Sequence, residues 1–198
     1  MRYNCQKCGT CCHEIPGDYS KRIPLYPDEA DKLIEIAKER GVDFRIIEDL
    51  VFPDLKNKKI LVITYKIQLD NENKCCPFYD NNFGCTVHEV KPLACQAYPL
   101  ALKHIDAFNF KIDIDPLCQF ILTNYDKLKN TDLESIKKIF YDEYPKAMNH
   151  LKKNKKIMLK LRELEYFKKI EICREITLED FNEYLREWER EEIVAGKQ

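Results

Sequence analysis

Glycine is scarce in this chain, five in 198 residues, and tryptophan occurs once. So few glycines leave no glycine-rich phosphate loop and no glycine-rich strand-to-helix turn suited to a nucleotide or to S-adenosylmethionine. Neither G-x-S-x-G nor H-E-x-x-H occurs, so the nucleophile elbow and the zincin helix are both excluded. An excess of charge of one sign is also missing. Lys+Arg total 33 against 34 for Asp+Glu, which supplies no general electrostatic reason to bind nucleic acid or an anionic membrane. No apolar run approaches the ~20 residues of a membrane-spanning helix. The amino terminus, "MRYNCQKC", lacks the apolar stretch of a secretory signal. The expectation is a cytoplasmic protein with no membrane partner.

What is present is a globular composition, 44% hydrophobic and 34% charged, in a chain long enough to bury a core. It also holds ten cysteines. Where thiols stay reduced, a dense cysteine pattern points to a metal site rather than a disulfide framework, and a secreted disulfide scaffold would be shorter and richer in glycine.

Nine of the ten cysteines precede residue 119, and only Cys173 follows. Composition therefore changes near residue 120, from cysteine- and proline-bearing to long, charged and cysteine-poor. The expected fold class is α+β. A cysteine-organised metal-binding region with a small antiparallel sheet, residues 1–120, is followed by a mainly helical region, residues 121–198, packed on it as one compact unit. "PDEADKLIEIAKERG" predicts a helix opened by Pro27, Asp28 and Glu29 and closed by Gly41, with Ala30, Leu33, Ile34 and Ala37 as its apolar stripe. "FRIIEDLV" reads as a short second helix. "KILVITYKIQLD" and "AFNFKIDID" alternate like strands, the second presenting Phe108, Phe110, Ile112 and Ile114 on one face. With the polar turn "DNENK" after the first, the two are expected to pair and support the cysteine loop between them.

From Thr131 onward the pattern is helical. Thr131 and Glu134 offer a capping box, Pro145 interrupts or restarts the helix, and Thr177 opens a last helix through Trp188. The basic run Lys152, Lys153, Lys155 and Lys156 reads as a solvated face rather than a nucleic-acid site, because Glu163, Glu165 and Glu171 follow closely. Cys173 reads as core on a helix beside Ile170 and Ile172.

The chemistry concentrates in "NCQKCGTCCHE". Thiolates are soft anionic ligands, and four of them suit tetrahedral zinc or an iron–sulfur cluster. The C-x2-C spacing occurs twice in succession, at Cys5–Cys8 and Cys8–Cys11. This tandem resembles the first three ligands of a bacterial-type ferredoxin run, and Cys76-Pro77 loosely supplies the distant cysteine followed by proline. Cys5, Cys8, Cys11 and Cys76 are thus one candidate cluster set. Cys11 and Cys12 are adjacent, so in extended backbone their side chains point apart. Either one of them is a small buried hydrophobe, or Cys12 belongs to a second centre.

The second half of the constellation is "CCPFYDNNFGCTVHEVKPLACQAYPL", followed by Cys118. The succession C-x2-C-G-x-C-C, C-P-F-x5-G-C, K-P-x2-C-x-x-Y-P and a later lone cysteine resembles the YkgJ-like cysteine-cluster family. Its members are described as zinc- or iron-chelating, and a related cluster occurs in the flagellin lysine methylases. The resemblance covers Cys5 to Cys118 and implies Cys5, Cys8, Cys11, Cys12, Cys76, Cys85, Cys95 and Cys118 as metal ligands. Eight thiolates suffice for two four-cysteine centres. Lys91 stands where the family commonly has arginine, and Cys75 is an extra thiol.

Between the metals, the tandem C-x2-C-x2-C and ligands collected from loops favour an iron–sulfur cluster of the 4Fe–4S type, with zinc as the alternative. Three roles compete. The first is an electron-transfer or accessory module for a protein partner. The second is a structural zinc protein presenting an interaction surface. The third, ranked last, is a metal-dependent enzyme related to protein lysine methylation, for which the pattern assigns no catalytic residue. His13 and His88 stand near ligand positions and read as polar loop.

Overall fold

The computed structural model describes residues 1–14, 23–70, 74–105 and 110–195. In chain order the elements are β1 Pro24–Leu25, α1 Pro27–Arg40, β2 Ile46–Asp54, β3 Lys59–Ile67, β4 Tyr79–Asp80, β5 Gly84–Cys85, α2 Leu93–Ala97, β6 Leu100–His104, β7 Phe110–Ile114, α3 Gln119–Leu128, α4 Leu133–Ile139, α5 Glu143–Tyr166, α6 Leu178–Glu187 and β8 Glu189–Glu192. The fold class is α+β, as the sequence predicts. No described helix is long and apolar enough to cross a membrane.

The chain divides into two compact units that interleave along the sequence. One comprises Met1–Ile23 with Leu69–Lys152, the other Pro24–Gln68 with Lys153–Gln198. Residue 120, where the composition changes, lies inside the first unit.

The second unit is built on a four-stranded sheet. β3 pairs antiparallel with β1 and β2 and parallel with β8. "FRIIEDLV" is therefore strand and not helix. Ile46 to Asp54 pair with Ile67 to Lys59 across a turn in which Lys58 takes φ +52°. Register shifts around Leu50 break the alternation of β2, which is why its strand character is hard to read. α1 matches its prediction. Glu29 Oε2 accepts from the Tyr26 amide at 3.1 Å, Gly41 closes the helix at φ +65°, and Pro27, Ala30, Leu33 and Ala37 are buried. The core joins Tyr26, Leu61, Ile63, Ile157, Leu161, Ile170 and Ile193. Asp54, only 1% exposed, ties the β2–β3 turn to the segment after α5: its Oδ1 accepts from the amides of Lys56 at 3.1 Å and Glu171 at 2.9 Å.

Within the first unit, β6 and β7 form a hairpin, Leu100 opposite Ile114 through His104 opposite Phe110. The expected pairing of "KILVITYKIQLD" with "AFNFKIDID" does not occur. Each strand pairs with a nearer partner, β3 with β2 and β7 with β6, because short closures cost less chain entropy. Phe108, and residues 71–73 of the expected polar turn, lie outside the described residues. The core gathers Tyr3, Ala97, Leu100, Cys118, Phe120, Ile121, Leu128, Ile136, Ile139, Phe140 and Ala147. α4 is capped by Asp132, whose carboxylate accepts from the Ser135 amide at 2.8 Å, and not by Thr131, whose hydroxyl donates to Lys127 O. Pro145 falls in the first turn of α5, where its missing N–H costs nothing. Thr177 caps α6 through the Asp180 amide, as expected. Cys173 lies in the segment between α5 and α6, half-buried, rather than on a helix.

Lys153 of the basic run is not a free surface cation. Its ammonium bonds both carboxylate oxygens of Asp28, at 2.7 and 2.9 Å, and lies 4.2 Å from the centre of the Tyr26 ring.

Candidate metal centre

All ten cysteines are free thiols. The amino-terminal loop turns through left-handed conformations at Lys7, φ +53°, and Gly9, φ +78°, into a 3-10 turn spanning Thr10–Cys12. The Cys12 amide donates to Gly9 O at 2.7 Å and closes that turn. The chain then runs alongside the second cysteine segment. His13 bridges Cys75, the Glu14 amide donates to Lys74 O at 2.8 Å, and the Cys76 amide donates to Cys12 O at 2.7 Å. Backbone bonds thus hold Cys11 and Cys12 against Cys75 and Cys76, although more than sixty residues separate them.

A tight hairpin follows. β4 and β5 place Tyr79 opposite Cys85, and Asp80 Oδ1 accepts from the amides of Asn82 and Phe83 at 2.7 and 2.9 Å. Two glycines permit this hairpin and the amino-terminal loop to touch. A Cβ on Gly9 would lie 2.4 Å from Cζ of Tyr79, and one on Gly84, φ +74°, would lie 2.6 Å from Cβ of Lys7. Cys95 is carried by the single turn-and-a-half of α2, entered through Pro92 and held by Gln96 Nε2, which donates to Lys91 O at 2.7 Å. Cys118 stands at the N-cap of α3.

The thiols fall into two groups by the charges they sense. In the first, Cys12, Cys76, Cys85 and Cys95 each sense the charge of Cys11. Cys12, whose Sγ is 3.7 Å from that of Cys11, is raised far above its ordinary range by that contact, then by burial and by the charges of Cys11, Cys76 and Cys85. Burial pushes the Cys76 thiol up to about 11, helped by Cys85 and Cys11 and opposed by the Phe78 amide. Burial raises Cys85 and Cys95 too. Cys11 acts on both, and Lys91 is the cation that opposes the rise in each. Lysine at this position therefore still supplies the positive charge, as a point charge without arginine's fork.

The second group is Cys8 and Cys118, at the start of α3. Burial pushes Cys8 up, yet hydrogen bonds from the Thr10 hydroxyl, 3.3 Å away, and from the amides of Thr10 and Gln119 prevail and hold it below its ordinary value. Cys118 is raised by burial, against the amides of Ile121 and Phe120 and the hydroxyl of Tyr3. Cys5 borders both groups: it packs against the core that holds Tyr3, and its charge acts on Tyr3 and on Cys85. Cys75 is peripheral, raised by burial and by Asp70. Cys173 belongs to the other unit and donates to Glu175 O at 3.3 Å.

Of the candidate set Cys5, Cys8, Cys11 and Cys76, Cys11 acts on both Cys8 and Cys76, and Cys12 lies beside Cys11 instead of turning away from it. The 3-10 turn is the reason, since it removes the opposite-side geometry of extended neighbours. Among the described residues, no three His, Cys, Asp or Glu side chains are already arranged as a metal site. The donor set nevertheless fits a thiophilic metal. Half-buried or buried sulfurs come from separate segments, and a bound cation would favour the thiolate form that burial disfavours.

Neither neighbouring histidine turns its ring to a sulfur in the contacts seen. His13 Nδ1 lies 2.8 Å from Gly9 O, and its ring meets Tyr79 edge-on at 4.9 Å. His88 Nε2 lies 3.4 Å from Lys91 Nζ. Residues that the cysteine spacing does not announce are Tyr3, Thr10, Gly9 and Gly84. The two glycines each stand directly beside a cysteine, which is a usable signal. Tyr3 carries none, because its part depends on a helix more than a hundred residues away.

Comparison with known families agrees with this chemistry. The CxxCxxCC family, described as a "putative zinc- or iron-chelating domain", matches residues 4–119. The chain belongs to this family, and metal binding through its cysteine cluster follows from that membership. No curated protein and no solved structure matches the chain.

Proposed function

We propose that this metal-binding chain holds an iron–sulfur cluster of the 4Fe–4S type and serves a protein partner as an electron-transfer or accessory module. The observation that carries this reading is that Cys12, Cys76, Cys85 and Cys95, drawn from separate segments, each sense the charge of Cys11, with Lys91 opposing the rise at Cys85 and Cys95. Ligands drawn singly from loops, with one tandem C-x2-C-x2-C, suit a multinuclear cluster better than paired zinc knuckles do.

Four of the same five thiols could instead hold one tetrahedral zinc as a structural staple, and colour separates the two readings. Protein purified without air should be brown, absorb toward the blue end of the visible and contain iron and acid-labile sulfide. A colourless preparation with stoichiometric zinc and no sulfide overturns the cluster and leaves a structural site.

A further inference from the structure

Two helix faces in the unit of Pro24–Gln68 and Lys153–Gln198 carry opposite charge. On α5, Ile157 and Leu161 turn one side into the core. Lys155, Lys156 and Arg162 are exposed, in a stretch from Tyr144 to Arg162 that has no Asp or Glu. Leu159, 51% exposed, sits among them, and Tyr166, 79% exposed, ends the same helix. On α6, Phe181 and Leu185 are half-buried. Glu179, Glu183 and Glu187, each four residues after the last, form an exposed row on the other side.

Like charges at this spacing destabilise a helix, so the acidic row opposes its own formation until a cation meets it. Among the described residues, neither row is neutralised. The ion pairs that α5 and α6 make there, Lys153 with Asp28 and Glu165 with Arg174, leave all six side chains out. Opposite charge enters only beside the rows, as Glu163 and Arg186. The rows also match in length: Lys155 to Arg162 spans ~10 Å of helix axis and Glu179 to Glu187 ~12 Å.

We propose that these faces bind one another between molecules: the basic row of α5 on one copy of this chain docks against the acidic row of α6 on another. A second copy is the occupant that answers both rows at once, because one chain carries both halves of the match. Leu159, between the basic residues, is covered in the contact and adds apolar burial to it. Charge supplies most of the attraction, so the association is transient and salt screens it. It uses no cysteine and holds whichever metal the centre takes.

Sedimentation velocity of the full-length, metal-loaded protein is the test. The wild type should self-associate at ~20 mM salt and be monomeric at ~0.5 M. Glu179→Lys, Glu183→Lys and Glu187→Lys together should weaken self-association about a hundredfold, as should Lys155→Glu, Lys156→Glu and Arg162→Glu together. Mixing these two variants should restore association, because each row then meets its opposite on the other protein. Should a reversal unfold the chain, glutamine at the same positions removes the charge and should still weaken association. A wild type that stays monomeric at low salt overturns the proposal, whether or not it takes oligolysine on α6 or a polyanion on α5. Variants that self-associate like the wild type, or a mixture no more associated than its components, overturn it as well.

Discussion

The two units reach stability by different means. The unit containing Pro24–Gln68 and Lys153–Gln198 is a conventional sheet-and-helix structure: Ile60, Leu61, Val62 and Ile63 are each at most 1% exposed, and every strand of its sheet pairs with β3. The unit containing Met1–Ile23 and Leu69–Lys152 holds nine of the ten cysteines, and around them regular structure shrinks to two-residue strands, 3-10 turns and a five-residue helix. Its aromatic core lies with α3 and α4, and the cysteine loops add buried Phe78, Val87 and Ala97. Backbone bonds hold the Cys11–Cys12 turn beside Cys75 and Cys76, and burial there disfavours the charged thiolate. Burial supports the sheet-bearing unit, whereas the cysteine-bearing unit is expected to draw on a bound cation.

The sharpest way to break this comparison is to remove the metal. Hydrogen exchange should then quicken about a hundredfold at the amides of Cys12, Glu14, Cys76 and Thr86, ~3 kcal/mol of local stability, while those of β2 and β3 stay protected. Equal loss in both units would mean that the metal supports the whole chain.

Asp54→Ala tests the opposite dependence. It removes a buried carboxylate that accepts from Lys56 and Glu171 and should cost roughly 3 kcal/mol in denaturant unfolding. Metal content per folded molecule should be unchanged, and a fall in it would show the units to be coupled.

A pair of glycine variants refines the contrast. Gly9→Ala meets both a left-handed backbone and the Tyr79 ring, so it should cost roughly 2–3 kcal/mol and weaken metal binding. Gly41→Ala meets the same kind of backbone but open space, and should cost about 1 kcal/mol with metal binding intact. Equal effects would remove the case for close approach at Gly9.

The smallest effect is on pH. In metal-free protein the Cys76 thiol is raised from 9.0 to about 11, chiefly by burial, so the folded state holds its proton more tightly than the unfolded chain. That contribution is complete below pH 9.0 and is lost as pH climbs toward 11. The urea midpoint of the metal-free protein should fall across this interval, and the metal-loaded protein, its thiolates already formed, should not show the same fall.

Local signals proved legible and remote ones did not. Pro27, Asp28, Glu29 and Gly41 mark both ends of α1 because capping is decided within one turn. Thr177 marks α6 for the same reason. β2 is hidden by its register shifts. β8, "EREE", has no strand-like composition at all and exists through its partners: Lys59 bonds Glu191 at 2.7 Å, the Tyr65 hydroxyl bonds Glu192 at 2.6 Å, and Arg190 bonds Glu48 at 2.7 Å. The cysteines announce a soft-metal site by number and spacing, but not which sulfurs meet. The 3-10 turn that aims Cys11 and Cys12 together and the helix start that serves Cys8 and Cys118 appear only in the folded chain.

By itself, the sequence determined the chemistry: ten thiols, nine of them in one region, with spacings that belong to a metal-chelating family. Ligand type is a property of residues, so it can be read without a fold. Tertiary structure alone decided that Cys76, Cys85 and Cys95 sense Cys11, and that the Tyr3 amide pairs with Ile139 O. Those neighbours are tens to more than a hundred residues apart, and only packing and backbone pairing bring them within reach of one another.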